Sequence, residues 1–325
     1  MRLPYSELWT TFRVTRPFWH PNQAGSLWRG VLGRSLRRAG CLRTPACEEP
    51  CAEPGRCAYS RLFDPLVPQP APHRLLRGQH EAPPPLLPLV PIGCGRTFEV
   101  GERVELGVRC LGTLDSEDLE RLRGTFAGLT ELPLGRDGGR VELLAQRPPQ
   151  HAVLASEPLA TLPPHPESLR ARIEFMTPTW IEHQQQLHPE LDFPVLLTHG
   201  VRRLTVLSAL YGSWTAADDA AVPHLRALAA SVRTVSQDVQ PLHFDRHSRE
   251  RDQRHPLHGF LGSLTVEGPL APLWPYLQMI ALSHVGKATS FGLGRLRITA
   301  APGPSSEALH AADGPIHDSA RSVSA

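Results

Sequence analysis

Residues 270–300, LAPLWPYLQMIALSHVGKATSFGLGRLRITA, carry three signals in succession. Leu273, Leu277, Ile280 and Leu282 repeat at helical spacing, and Gly286 offers a stop. Glycines at 286, 292 and 294 punctuate a short connection, and GRLRITA then reads as a closing strand. This helix-to-strand order excludes two common phosphate-binding readings. A P-loop needs G-x-x-x-x-G-K-[ST] between a strand and a helix, whereas Gly286-Lys287 is followed by Ala288 and the elements run the other way. A dinucleotide fingerprint starting at Gly292 and Gly294 fails because Arg297 stands where its third glycine belongs. What survives is a connection whose glycines permit positive φ and close backbone approach, with amides able to face a phosphate. Lys287, the only lysine in the chain, joins Arg295 and Arg297 at that edge, suited to a polyanion backbone. His284 lies three residues before Lys287, on the same face if the helix persists. Equally, the glycines could form a plain turn with His284 capping the helix.

Upstream, RARIEFMTPTWI (170–181) alternates as a strand, and FPVLLTHGVRRLTVLSALYG (193–212) has helical spacing with Gly212 as its stop. VQPLHFDRH (239–247) and GFLGSLTVEG (259–268) read as two strands joined by a polar, charged loop. With the C-terminal helix and strand, the order is β-α-β-β-α-β, the ferredoxin-like split unit. The first half repeats it: a strand in ELWTTFRV (7–14), a helix in AGSLWRGVLGRSLRRAG (24–40) and a strand in or near LLPLVPI (86–92). RVELGVRCLG (103–112) is then a strand, SEDLERLRGTFAGL (116–129) a helix with Ser116 as its N-cap, and GGRVELLA (138–145) a strand. The predicted fold is α+β: two tandem ferredoxin-like domains with a C-terminal glycine-rich loop. The first spans 1–147 with a Cys-rich insertion at 41–91, and the second 169–300. Between them, 148–168 reads as a proline-rich linker, and 301–325 is too poor in large apolar residues to fold.

A chain of 325 residues with 41% hydrophobic and 20% charged content is ordinary for a globular protein. A net charge of +2 excludes a blanket polyanion binder but not a local basic groove, since 33 of the 34 basic residues are arginine. The N-terminus lacks the apolar core of a signal peptide, and no apolar run approaches a membrane span, so a cytoplasmic location is expected.

Two further clusters stand out. CLRTPACEEPCAEPGRC places Cys41, Cys47, Cys51 and Cys57 within one turn-rich insertion. Four thiolates there suit a structural zinc; an iron–sulfur cluster or free thiols are the alternatives. LHFDRHSRERDQRHPLHGF (242–260) interleaves Arg246, Arg249, Arg251 and Arg254 with His243, His247, His255 and His258. It reads as a basic loop able to grip the phosphates of a polyanion or as a solvated hairpin, and its spacing is unconvincing as a zinc site.

These pieces together resemble the pre-crRNA processing endoribonuclease family of the RAMP superfamily of CRISPR-associated proteins. LWRGVLGRSLRRAGC, PPPLLPLVPI, FEVGERVELGVRCLG and LGRDGGRVELL carry the resemblance in the first half. RIEFMTPTWI, FPVLLTHGVRRLTVLSALYG, GFLGSLTVEG and the closing GKATSFGLGRLRI carry it in the second. The resemblance implies cleavage of CRISPR repeat RNA (pre-crRNA) without a metal cofactor. The 2′-hydroxyl would attack its own phosphate, leaving a 2′,3′-cyclic phosphate and a 5′-hydroxyl. Such chemistry needs a proton acceptor, a proton donor and a cation. His284 and Lys287 are the first candidates. His20 competes for the acid–base role, with Arg29 as its cationic partner. RNA contacts are expected at Gly286, Gly292, Gly294, Arg295, Arg297, Arg29, Arg34 and Arg249. The alternative is a non-catalytic subunit that holds crRNA in an effector complex; the sequence leaves the oligomeric state open.

Overall fold

The computed structural model describes residues 1–40, 55–93, 95–156, 169–183, 186–187, 191–248 and 253–301. The first half comprises β1 (Arg2–Arg16), β2 (Phe18–His20), α1 (Gly25–Gly40), α2 (Ala58–Leu62), β3 (Leu86–Leu89) and β4 (Arg96–Phe98). It continues through β5 (Arg103–Leu111), α3 (Ser116–Gly128), β6 (Arg140–Gln146) and β7 (Gln150–Ala155). The second half comprises β8 (Leu169–Thr179), β9 (Glu182–His183), β10 (Gln186–Leu187), α4 (Phe193–Tyr211) and α5 (Ala216–Ala230). It closes with β11 (Arg233–Ser248), β12 (Gln253–Gly268), α6 (Trp274–Ser283) and β13 (Leu296–Ala300). The architecture is mixed α and β on two antiparallel sheets, ordered β3-β5-β1-β6 and β11-β12-β8-β13.

One face of the first sheet packs against α1 and α3. Phe12, Val104, Leu106 and Val108 meet Trp28, Leu32, Leu36 and Phe126 there. Its other face is also covered. Leu3, Leu87 and Leu111 belong to the core of the second half, with Leu196, Leu204 and Leu207 of α4 and Ile280 of α6. Being buried on both faces explains why β3 and the end of β5 are buried at every residue.

Several sequence expectations are corrected. Gln150–Ala155, assigned to the linker, form β7 and pair with Arg2–Glu7, the part of β1 that β6 leaves unpaired. Pro148 and Pro149, which cannot both hold a ladder, separate the two strands. The N-cap of α3 is Asp115, not Ser116; its carboxylate accepts from the Asp118 N–H at 2.7 Å. The expected polar loop at 248–258 is strand wherever it is described, at Ser248 and Gln253–His258, because β11 and β12 pair as one long hairpin from Arg233↔Glu267 to Ser248↔Gln253. Helix α5 was not read at all. Cys41, Cys47, Cys51 and Arg249, together with the tail from 302, lie outside the described residues. Among the described residues no helix is long and apolar enough to cross a membrane.

Candidate functional site

The connection from α6 to β13 sits where the two halves meet. Its glycines are required by the chain's own backbone. Gly286 has φ 86°, and a Cβ there would stand 2.3 Å from the Trp180 carbonyl oxygen. Gly294 has φ 73°, and its Cβ would stand 1.9 Å from the Val285 carbonyl oxygen. The first half closes against the same segment, since a Cβ on Gly25, the first residue of α1, would stand 1.6 Å from the Phe291 carbonyl oxygen. Several amides expected to face a phosphate are spent internally. Lys287 N donates to Trp180 O at 2.8 Å, Gly292 N to Thr289 O at 2.8 Å and Gly294 N to Pro178 O at 3.0 Å. Arg295 N donates to the Thr177 hydroxyl at 2.9 Å.

His284 and Lys287 do not share a helical face. Helix α6 ends at Ser283, and His284 takes φ 57°, ψ 164°, a strained backbone region otherwise left to glycine. Its imidazole is fully buried, with Nδ1 3.1 Å from the Leu293 carbonyl and Nε2 without a hydrogen-bond partner. Burial, and then the charges of Arg109, Arg295 and Arg203, hold it well below the ordinary histidine range. Two of those arginines secure the end of α6. Arg109, ion-paired with Glu7, donates to Leu282 O at 2.5 Å, and Arg203 donates to Ser283 O at 2.9 Å.

Lys287 faces outward. Its side chain is 56% exposed, its Nζ stands 2.5 Å from Glu182 and 5.4 Å from the centre of the Trp180 ring. His20 is fully buried too. Nε2 accepts from the Trp28 indole N–H at 3.0 Å, and Phe98 packs edge-on at 5.3 Å. Burial pushes it down to about 4; a backbone hydrogen bond at Pro21 opposes this and the Arg96 charge reinforces it. Arg29 turns from His20 toward the Phe63 carbonyl, Asp64 and the Phe63 and Phe291 rings. Arg34 reaches the Pro133 carbonyl at 3.4 Å, and Arg297 pairs with Glu174 at 2.5 Å. Cys57 is buried, and its sulfur accepts from Ser60 N at the start of α2. The expected catalytic residues therefore separate into two sealed, neutral imidazoles and one exposed cation.

Two family models match the chain. Residues 173–296 match the family of the CRISPR-associated endoribonuclease Cas6, and residues 3–166 match a family described as an N-terminal domain. The chain resembles the Thermus thermophilus Cas6 (TTHB231) product complex at TM-score 0.52 and 15% identity, covering 91% of this chain and 100% of that one. A partial Cas6-RT-Cas1–Cas2 complex is similar at TM-score 0.57 and 12% identity, covering 92% of this chain and 46% of that longer one. At such identities the structural likeness is one of fold. No curated protein matches the chain. The Cas6 match falls on the segment holding α6, its glycine-bounded connection and Lys287, so it is the second half of the chain that matches the family of Cas6-type CRISPR-associated endoribonucleases.

Proposed function

We propose that this protein cleaves CRISPR repeat RNA without a metal cofactor, by attack of the 2′-hydroxyl on the adjacent phosphate. The products would be a 2′,3′-cyclic phosphate and a 5′-hydroxyl. The observation that carries the reading is Lys287: the one lysine stands exposed on the family-matched segment, its backbone bonded to Trp180 and its charge free of the core. A cation in that position would stabilise the charge developing on the phosphorane. The two halves read as tandem ferredoxin-like domains, 1–147 and 169–300. In support, each sheet sets its first and third strands at the centre of a four-strand path. Repeat RNA is the proposed partner, with a CRISPR effector complex as the assembly it would serve. A structural zinc on Cys41, Cys47, Cys51 and Cys57 belongs to the same reading on their spacing, and elemental analysis of protein purified without chelator should find about one zinc per chain.

A second reading, a non-catalytic subunit that holds crRNA, is favoured by the burial of His20 and His284. Cleavage of a repeat RNA in excess EDTA separates the two. The enzyme reading expects one cut, abolished by a 2′-deoxy substitution at the scissile nucleotide; tight binding with no cut would establish the holding role instead.

A further inference from the structure

With His20 and His284 sealed in the interior, proton transfer at the surface beside Lys287 needs other groups. The hairpin supplies them. His243 on β11 and His258 on β12 are direct partners in the antiparallel register. Their Nδ1 atoms lie 2.5 Å apart and their ring centres 4.7 Å apart, at an interplanar angle of 75°. His258 is two residues before Phe260, so it lies on the strand face that packs the core, just beyond where that core ends. His243 is exposed and His258 partly so. Trp180 joins this pair to the lysine: His258 meets the indole edge-on at 5.3 Å, and Lys287 Nζ lies 5.4 Å from the same ring. Glu182, paired with Lys287, completes the patch.

We propose that His243 and His258 are the acid–base pair of RNA cleavage, working beside Lys287. This rests on the enzyme reading above. A contact between two Nδ1 atoms requires one ring to donate and the other to accept. In the neutral pair, the donating ring therefore keeps a free lone pair on Nε2, while the accepting ring carries its proton on Nε2. The two rings thus offer a base and an acid from a single shared contact. The free Nε2 takes the 2′-hydroxyl proton as the 2′-oxygen bonds to phosphorus. The Nδ1 proton passes across to the second ring. That ring's Nε2 proton goes to the 5′-oxygen as its bond to phosphorus breaks. No proton is gained or lost overall, and both rings finish as the opposite tautomer. Lys287 faces the phosphate charge that builds between these transfers.

The test is single-turnover cleavage of a repeat RNA by the full chain, with RNA affinity measured alongside. His258→Ala and His243→Ala should each slow cleavage by about 100-fold or more, while Kd stays within about threefold. Added imidazole should restore part of the His258→Ala rate. His224→Ala, exposed on α5, serves as the control. Cleavage at the wild-type rate in both variants would overturn the assignment and leave the enzyme reading standing. A rate loss matched by an equal loss of affinity would make the pair RNA-binding rather than catalytic. If the wild-type chain binds the RNA but never cuts it, the enzyme reading falls and this assignment falls with it.

Discussion

At the scale of single residues, the connection after α6 stores conformational cost that sequence alone half revealed. His284 holds a backbone conformation suited to glycine. His284→Gly should therefore be more stable than His284→Ala by about 1–3 kcal/mol, read from urea midpoints. Gly294→Ala combines a left-handed φ with a Cβ 1.9 Å from a carbonyl oxygen. Gly78→Ala has a similar φ of 74° but open space around it. The first should cost clearly more than the roughly 1–2 kcal/mol of left-handed backbone that both share. His20 makes a pH prediction. Its folded value is lowered to about 4, so the unfolded chain binds more protons between there and the ordinary histidine value near 6.5. Its contribution is intact above about pH 6.5 and is lost as pH falls toward 4, on the order of 3 kcal/mol. His20→Gln, which keeps an acceptor for Trp28, should flatten stability against pH in that window. Lys287 was legible because a sole lysine stands out. The burial of His20 and His284 was not, because it depends on Phe98, Arg109 and Leu293, which approach only through tertiary structure.

At the scale of elements, α1, α3, α4 and α6 were legible from apolar periodicity, and Gly212 does end α4. Helix α5 was missed because its apolar stripe is weak, with only Leu225 and Ala229 buried, and because Pro223 lies inside it. The available signal was its start. Thr215 and Asp218 form a reciprocal capping box, with Thr215 N donating to the Asp218 carboxylate at 2.8 Å. Thr215→Ala should cost about 1 kcal/mol, measured by thermal or urea unfolding. The strands β1, β11 and β12 were placed correctly but cut short. β1 reaches from Arg2 to Arg16 because two different strands, β6 and β7, share its length, and a pattern local to ELWTTFRV cannot show partners about 140 residues away.

At the scale of the whole molecule, the sheet of the first half serves two cores. Leu3, Leu87 and Leu111 pack with α4 and α6 rather than with α1 and α3, so the halves should not melt separately. Urea unfolding followed by the fluorescence of Trp28, in the first core, and Trp274, against the second, should give one coincident transition. Two separated midpoints would show the halves to be independent. The mixed α and β character of both halves was readable from sequence, but this dependence was not. Alternation tells which residues face inward, not which neighbour lies inside. The bond from Arg109 to the Leu282 carbonyl spans 173 residues of chain. At roughly 5–20 residues per second of synthesis, that guanidinium emerges from the ribosome about 9–35 s before its carbonyl. Throughout that interval the nascent first half presents a bare apolar sheet face, so chaperone demand in the cell should peak midway through translation and fall once α6 has been made.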